Sequence, residues 1–167
     1  MRKNVRHRFI AAGGVAALLA LGAVSPALAG TGGSRTHTVA AASAAAKGDP
    51  RSTTDRVANF YGAYIDAMWD NEDAGAAADA KALRGFYLSA AARKKVADYE
   101  AREHANGILF AQNVPVKWSV AYDGSGGGHS MTLVTLTWND GAGADTSTIK
   151  VESDLATRKI IDLAPVG

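Results

Sequence analysis

Residues 114–138 read VPVKWSVAYDGSGGGHSMTLVTLTW, and the fold turns on them. Val114, Val116, Trp118, Val120 and Tyr122 alternate with smaller or polar residues, the period of two that marks a half-buried strand. Asp123–His129 is a glycine-rich turn, and a second strand runs from Met131 to Trp138, so the stretch predicts a β-hairpin. The same period continues downstream. Asn139–Asp145 makes a loop, and a third strand sets Ile149 and Val151 on one face against Thr148, Lys150 and Glu152 on the other. Leu155–Arg158 turns the chain into a last strand, Lys159–Val166.

Upstream the period is helical. Val57, Phe60, Tyr61, Tyr64, Ile65 and Met68 form one stripe of an amphipathic helix that Ser52 or Thr53 can cap. Asp70-Asn71-Glu72-Asp73 ends it in a polar cluster, and Ala74–Leu83 predicts a short, weakly held second helix. Gly85 punctuates, and Phe86, Tyr87 and Leu88 are expected to dip into the core. Ser89 caps a third helix running to about His104, with Ala92, Val96 and Tyr99 inward and Asn106-Gly107 as its stop. Three helices followed by a four-stranded antiparallel meander predict an α+β fold, with the helices packed on one face of a curved sheet.

The first 29 residues have the composition of a cleavable secretory signal peptide. Arg2, Lys3, Arg6 and Arg8 precede an almost uncharged run from Phe9 to Val24, and Ala27-Leu28-Ala29 offers a small-x-small cleavage site before Gly30. That run is shorter than the ~20 residues a spanning helix needs, so no membrane partner is expected after cleavage. The leader also carries the positive charge. The whole chain has 18 basic and 16 acidic residues, and loss of the four leader cations leaves 14 basic, a net charge of −2. A mildly acidic mature chain has no bulk attraction for phosphate backbones, so no nucleic-acid partner is expected. With no cysteine there is neither a disulfide framework nor a lipoprotein anchor, and an apolar core must stabilise the fold alone. Residues 30–50 are Gly, Ala, Ser and Thr with almost no large apolar side chains and read as a tether, leaving 51–167 as a single domain.

The element order, the stretch Phe60-Tyr61-Gly62-Ala63-Tyr64 and the C-terminal run from Val151 to Leu163 resemble the nuclear-transport-factor-2-like superfamily. The resemblance covers residues 53–166, and Gly107–Pro115 is similar to small exported bacterial members with no assigned function. It implies a cone: a bent antiparallel sheet wrapped around the first helix. Such cones house cyclases, isomerases, dehydratases and many non-enzymatic binders, so the fold does not choose a reaction.

The chemistry-bearing residues are sparse. Ser125 has glycine neighbours but lies in a hairpin tip, where neither a nucleophile elbow nor a phosphate cradle forms. The four histidines, His7, His37, His104 and His129, have no ligand spacing, and Lys81 stands where a calcium loop starting at Asp70 requires glutamate, so neither a metal nor another cofactor is expected. The resemblance implies that acid–base catalysis would pair Asp66 with His104 or His129. The aromatic residues are chiefly core, with Tyr64, Trp69, Trp118 and Trp138 as candidates to line an apolar ligand pocket. The leading expectation is an exported, non-enzymatic binding domain for a small apolar molecule or another protein, either monomeric or a homodimer through the sheet. A secreted cyclase- or isomerase-like enzyme is the alternative.

Overall fold

The computed structural model describes residues 47–70 and 72–166. The expected leader and residues 30–46 of the expected tether lie outside that range. Three helices, α1 (Thr53–Trp69), α2 (Ala76–Tyr87) and α3 (Ala90–Glu103), precede four strands, β1 (Lys117–Gly126), β2 (His129–Thr137), β3 (Thr146–Asp154) and β4 (Ile160–Pro165). The strands form one antiparallel sheet in sequence order, β1-β2-β3-β4. The fold is α+β with a curved sheet. Register shifts between Tyr122 and Gly124 and between Glu152 and Ser153 supply local bends, since an extra residue on one strand increases twist.

The alternation read in the sequence becomes two unlike faces. Thr132, Val134 and Leu136 of β2, Ile149 and Val151 of β3, and Ile160 and Leu163 of β4 are buried with Val57, Phe60, Tyr61 and Tyr64 of α1. Met131, Leu133, Thr135, Lys150 and Glu152 lie on the opposite face and are at least partly accessible. Caps fix the helix starts: Ser52 Oγ accepts from Asp55 N at 3.1 Å and Ser89 Oγ from Ala92 N at 3.1 Å. At its other end α3 stops on His104, which takes a left-handed conformation (φ 51°) normally left to glycine. Just beyond, Ile108 and Leu109 plug the core, and Gly107 presses so close to α3 that an added Cβ would meet Val96 O at 2.8 Å.

Three expectations need correction. Helix α2 does not end at Leu83 but continues to Tyr87, and the extra turn rotates Phe86 into solvent, where it is 57% exposed; of the Phe86-Tyr87-Leu88 run only Leu88 is fully buried. Strand β1 starts at Lys117 rather than Val114, and as an edge strand it leaves Trp118 and Tyr122 37% and 60% exposed. His129 is the first residue of β2, not part of the turn, so its side chain has a cross-strand neighbour.

Candidate functional site

The four aromatic candidates each close a different contact. Tyr64 is fully buried on the side of α1 that faces α2 and the loop after α3, and its hydroxyl accepts from Arg84 and from Asn106. The three indoles follow the other flank. Trp69 donates from Nε1 to Pro115 O at 2.9 Å, Trp138 donates to Ser147 Oγ at 3.1 Å, and Trp118 lies across Gly62. A Cβ at Gly62 would sit 2.8 Å from the Trp118 ring, so this glycine lets β1 approach α1. No indole lines the grooves described below, and the quartet does not form one pocket.

The acid–base candidates are likewise apart. Asp66 does not border the inner face but is exposed on the outer side of α1. His104 is an exposed helix terminus whose backbone N–H bonds to Glu100 O. His129 Nδ1 pairs with Glu152 on the outer face of the sheet. No hydrogen bond or ion pair among the described residues joins Asp66 to either histidine. No group of three His, Asp or Glu side chains among them is placed to hold a metal ion.

A polar cluster that the sequence does not announce ties the three helices together. Arg84 of α2 reaches Glu100 of α3 at 2.8 and 3.0 Å and Tyr64 Oη at 3.2 Å through Nε. Asn106 donates to the same Tyr64 oxygen at 2.8 Å, while its own Oδ1 accepts from Ile108 N and Leu109 N. Glu100 Oε1 also accepts from Gly107 N at 2.9 Å. Burial alone would lower the pKa of Arg84, but its hydrogen bonds to Glu100 and Tyr64 outweigh that and hold it above the usual arginine value. The neighbouring Tyr61 donates to Ile108 O at 3.3 Å, and burial raises its pKa far enough to keep the phenol neutral. The cluster is structural in its first effect, because each polar group is answered by another.

Two surface grooves flank this cluster. The larger, about 680 Å³, lies between the outer sides of α1 and α2. Its apolar lining comes from Ala63, Ala67, Leu83, Phe86 and Tyr87, and Asp66, Asp70, Asp73 and Asp79 stand along it. None of these four carboxylates takes part in an ion pair among the described residues. The second groove, about 410 Å³, runs between α3 and β4 over Val96, Tyr99, Phe110 and Leu163. Its lysines are already matched, Lys94 by Asp98 at 2.6 Å and Lys95 by Asp162 at 2.5 Å. The first groove therefore offers uncompensated charge beside apolar surface, and the second offers little. Sequence reasoning had Asp66 and Asp70 in view but placed neither in a groove, since only the docking of α2 along α1 creates one.

A solved protein of unknown function from Bacteroides thetaiotaomicron VPI-5482 is similar to this chain, with a TM-score of 0.57 over 68% of this chain and 88% of that one. The two are 18% identical, so the likeness concerns the fold alone. No protein-family model matches the chain, and no curated protein does.

Proposed function

We propose that the mature chain is an exported, non-enzymatic binding domain with a nuclear-transport-factor-2-like cone, which takes a small amphipathic molecule in the groove between α1 and α2. The order of three helices before a four-stranded antiparallel meander supports the fold assignment. The groove carries the functional reading. Its volume of about 680 Å³ lies within the ~300–1,000 Å³ of small-ligand sites. An apolar body fits over Ala63, Ala67, Leu83 and Phe86, and a cationic head fits among the aspartates. The interior of the cone is taken by Phe60, Tyr61 and Tyr64, all fully buried, so the ligand sits on the helical layer rather than inside. The outer sheet face around Leu133 and Met131 is where a second copy would pair.

The test is native mass spectrometry of protein recovered from the culture medium, beside an Ala82→Trp variant that fills the groove. The expected chain begins at Gly30 and carries a low-mass adduct that the variant lacks. A chain found only inside cells and starting at Met1 would sink the export reading. An adduct retained by Ala82→Trp would sink the groove.

A further inference from the structure

The charges of the described domain are segregated, and one corner collects most of its unpaired cations. Arg56 of α1, Arg93 in the first turn of α3, and Arg158 and Lys159 in the β3–β4 turn meet around the C-terminus of α2, and Lys47 and Arg51 precede α1 in the same stretch of chain as Arg56. Against these six basic residues the same segments, residues 47–56, 85–93 and 154–159, hold three acidic ones, Asp49, Asp55 and Asp154. The rest of the described chain has the opposite balance, with seven basic residues to thirteen acidic. Among the described residues, only Arg51 of the six takes part in an ion pair, with Asp49 at 3.0 Å.

Four of the others, Arg56, Arg93, Arg158 and Lys159, are held by carbonyl groups rather than by carboxylates. Arg56 Nε donates to Arg158 O at 3.2 Å, Arg158 Nη1 to Pro50 O at 3.0 Å, and Arg93 Nη1 to Leu88 O at 2.8 Å. Lys159 Nζ donates to Phe86 O. Carbonyl acceptors fix where these groups point without neutralising their charge. Between them stands Phe86, 57% exposed, with the Arg56 guanidinium 5.3 Å and the Lys159 ammonium 5.2 Å from its ring centre. In the same turn as Arg158, Leu155 is 47% exposed.

The geometry points to this corner as a docking patch for an anionic lipid surface, with Phe86 entering the headgroup layer and Arg56, Arg93, Arg158 and Lys159 meeting its phosphates. A partly exposed aromatic ring with cations held over it combines the two forces of interfacial attachment, apolar burial and attraction to acidic headgroups. A soluble anion would use the cations alone and bury none of the exposed apolar surface of Phe86 and Leu155. This attachment is peripheral and needs no spanning segment; no helix among the described residues is long and apolar enough to cross a membrane. It shares Phe86 with the groove, while the Arg158 and Lys159 side chains do not line the groove and belong to the attachment alone.

The purified mature chain is to be co-sedimented with vesicles of phosphatidylcholine alone and of phosphatidylcholine mixed with phosphatidylglycerol, at low and high salt. Binding is expected only to the mixed vesicles, and it falls as salt rises. The double variant Arg158→Gln/Lys159→Gln weakens it about tenfold or more, each cation near such a surface contributing on the order of fivefold. Phe86→Ser provides the second arm, because an exposed side chain can be replaced without unfolding the chain, and it too must reduce binding. Equal sedimentation with neutral vesicles overturns the proposal, as does unchanged binding by Phe86→Ser. Full displacement by soluble glycerol phosphate would show a site for free anions and would also overturn it.

Discussion

The two sides of α1 use the same helix for opposite ends. Toward the sheet and the other helices it presents Phe60, Tyr61 and Tyr64, each fully buried, with the phenol oxygens answered by Ile108 O, Arg84 and Asn106. Toward solvent it presents Ala63, Asp66, Ala67 and Asp70, whose carboxylates have no cationic partner among the described residues. On one side every polar atom is used to hold the fold, and on the other the polar atoms are left over. That difference, more than exposure itself, separates structural from available chemistry.

Breaking the committed side gives the largest effect. Glu100→Ala removes the acceptor of Arg84 and of Gly107 N while leaving the guanidinium with Tyr64 alone. Both partners are under a third exposed, so screening is partial. A loss of about 2 kcal/mol is expected, within the range for hydrogen bonds to charged groups. Denaturant unfolding measures it, and an unchanged midpoint would mean that the three helices are held without the cluster.

Gly62 sharpens the same comparison from the flank between the two sides. Alanine there gains up to ~1 kcal/mol of helix propensity but forces the Trp118 ring away from a Cβ that would otherwise lie at 2.8 Å. Overpacking of this kind costs about 1–3 kcal/mol, so a net loss of about 1 kcal/mol is expected for Gly62→Ala. Trp118 is already 37% exposed and can swing outward. The emission spectrum should shift to the red, and the shift should vanish in a Trp118→Phe background. A stabilised variant with unshifted emission would show that the α1–β1 seam has slack.

Much of the committed side is legible in the sequence because it is periodic. The stripe from Val57 to Met68 gives α1, Ser89 gives the start of α3, and alternation gives the four strands, though β1 starts three residues late. Phe86 misleads because three consecutive apolar residues read as core, while continuation of α2 by one turn sends the first of them outward. Arg84 and Glu100 are invisible because they stand 16 residues apart on two helices and become partners only when those helices dock. One signal was available: a glycine in the aromatic run Phe60-Tyr61-Gly62-Ala63-Tyr64 weakens a helix, so something must approach it closely. The open side has no such periodic mark. Aspartates among alanines look like any solvated helix face until a second helix makes them the wall of a groove.

The smallest expected effect tests whether exposure and commitment can be separated. Asp154 is accessible, yet its carboxylate accepts from Thr157 N at 2.6 Å and from Thr157 Oγ1 at 2.6 Å, and it holds the turn that presents Arg158 and Lys159. Those two hydrogen bonds, the hydroxyl's first, lower its pKa below the ordinary carboxylate value. A carboxyl group depressed on folding contributes stability that is fully present above its unfolded pKa, near 3.9, and is lost as pH falls through the folded value. Asp154→Asn should therefore melt slightly below the wild type at neutral pH, and the two melting curves should converge on acidification below about pH 4. Thermal melts across that range measure the gap. A gap that stays constant into acid would mean that the charge of Asp154 is as uncommitted as those of Asp66 and Asp70. A gap that closes would place an exposed carboxylate on the committed side, and make hydrogen-bond partnership the property that divides the molecule.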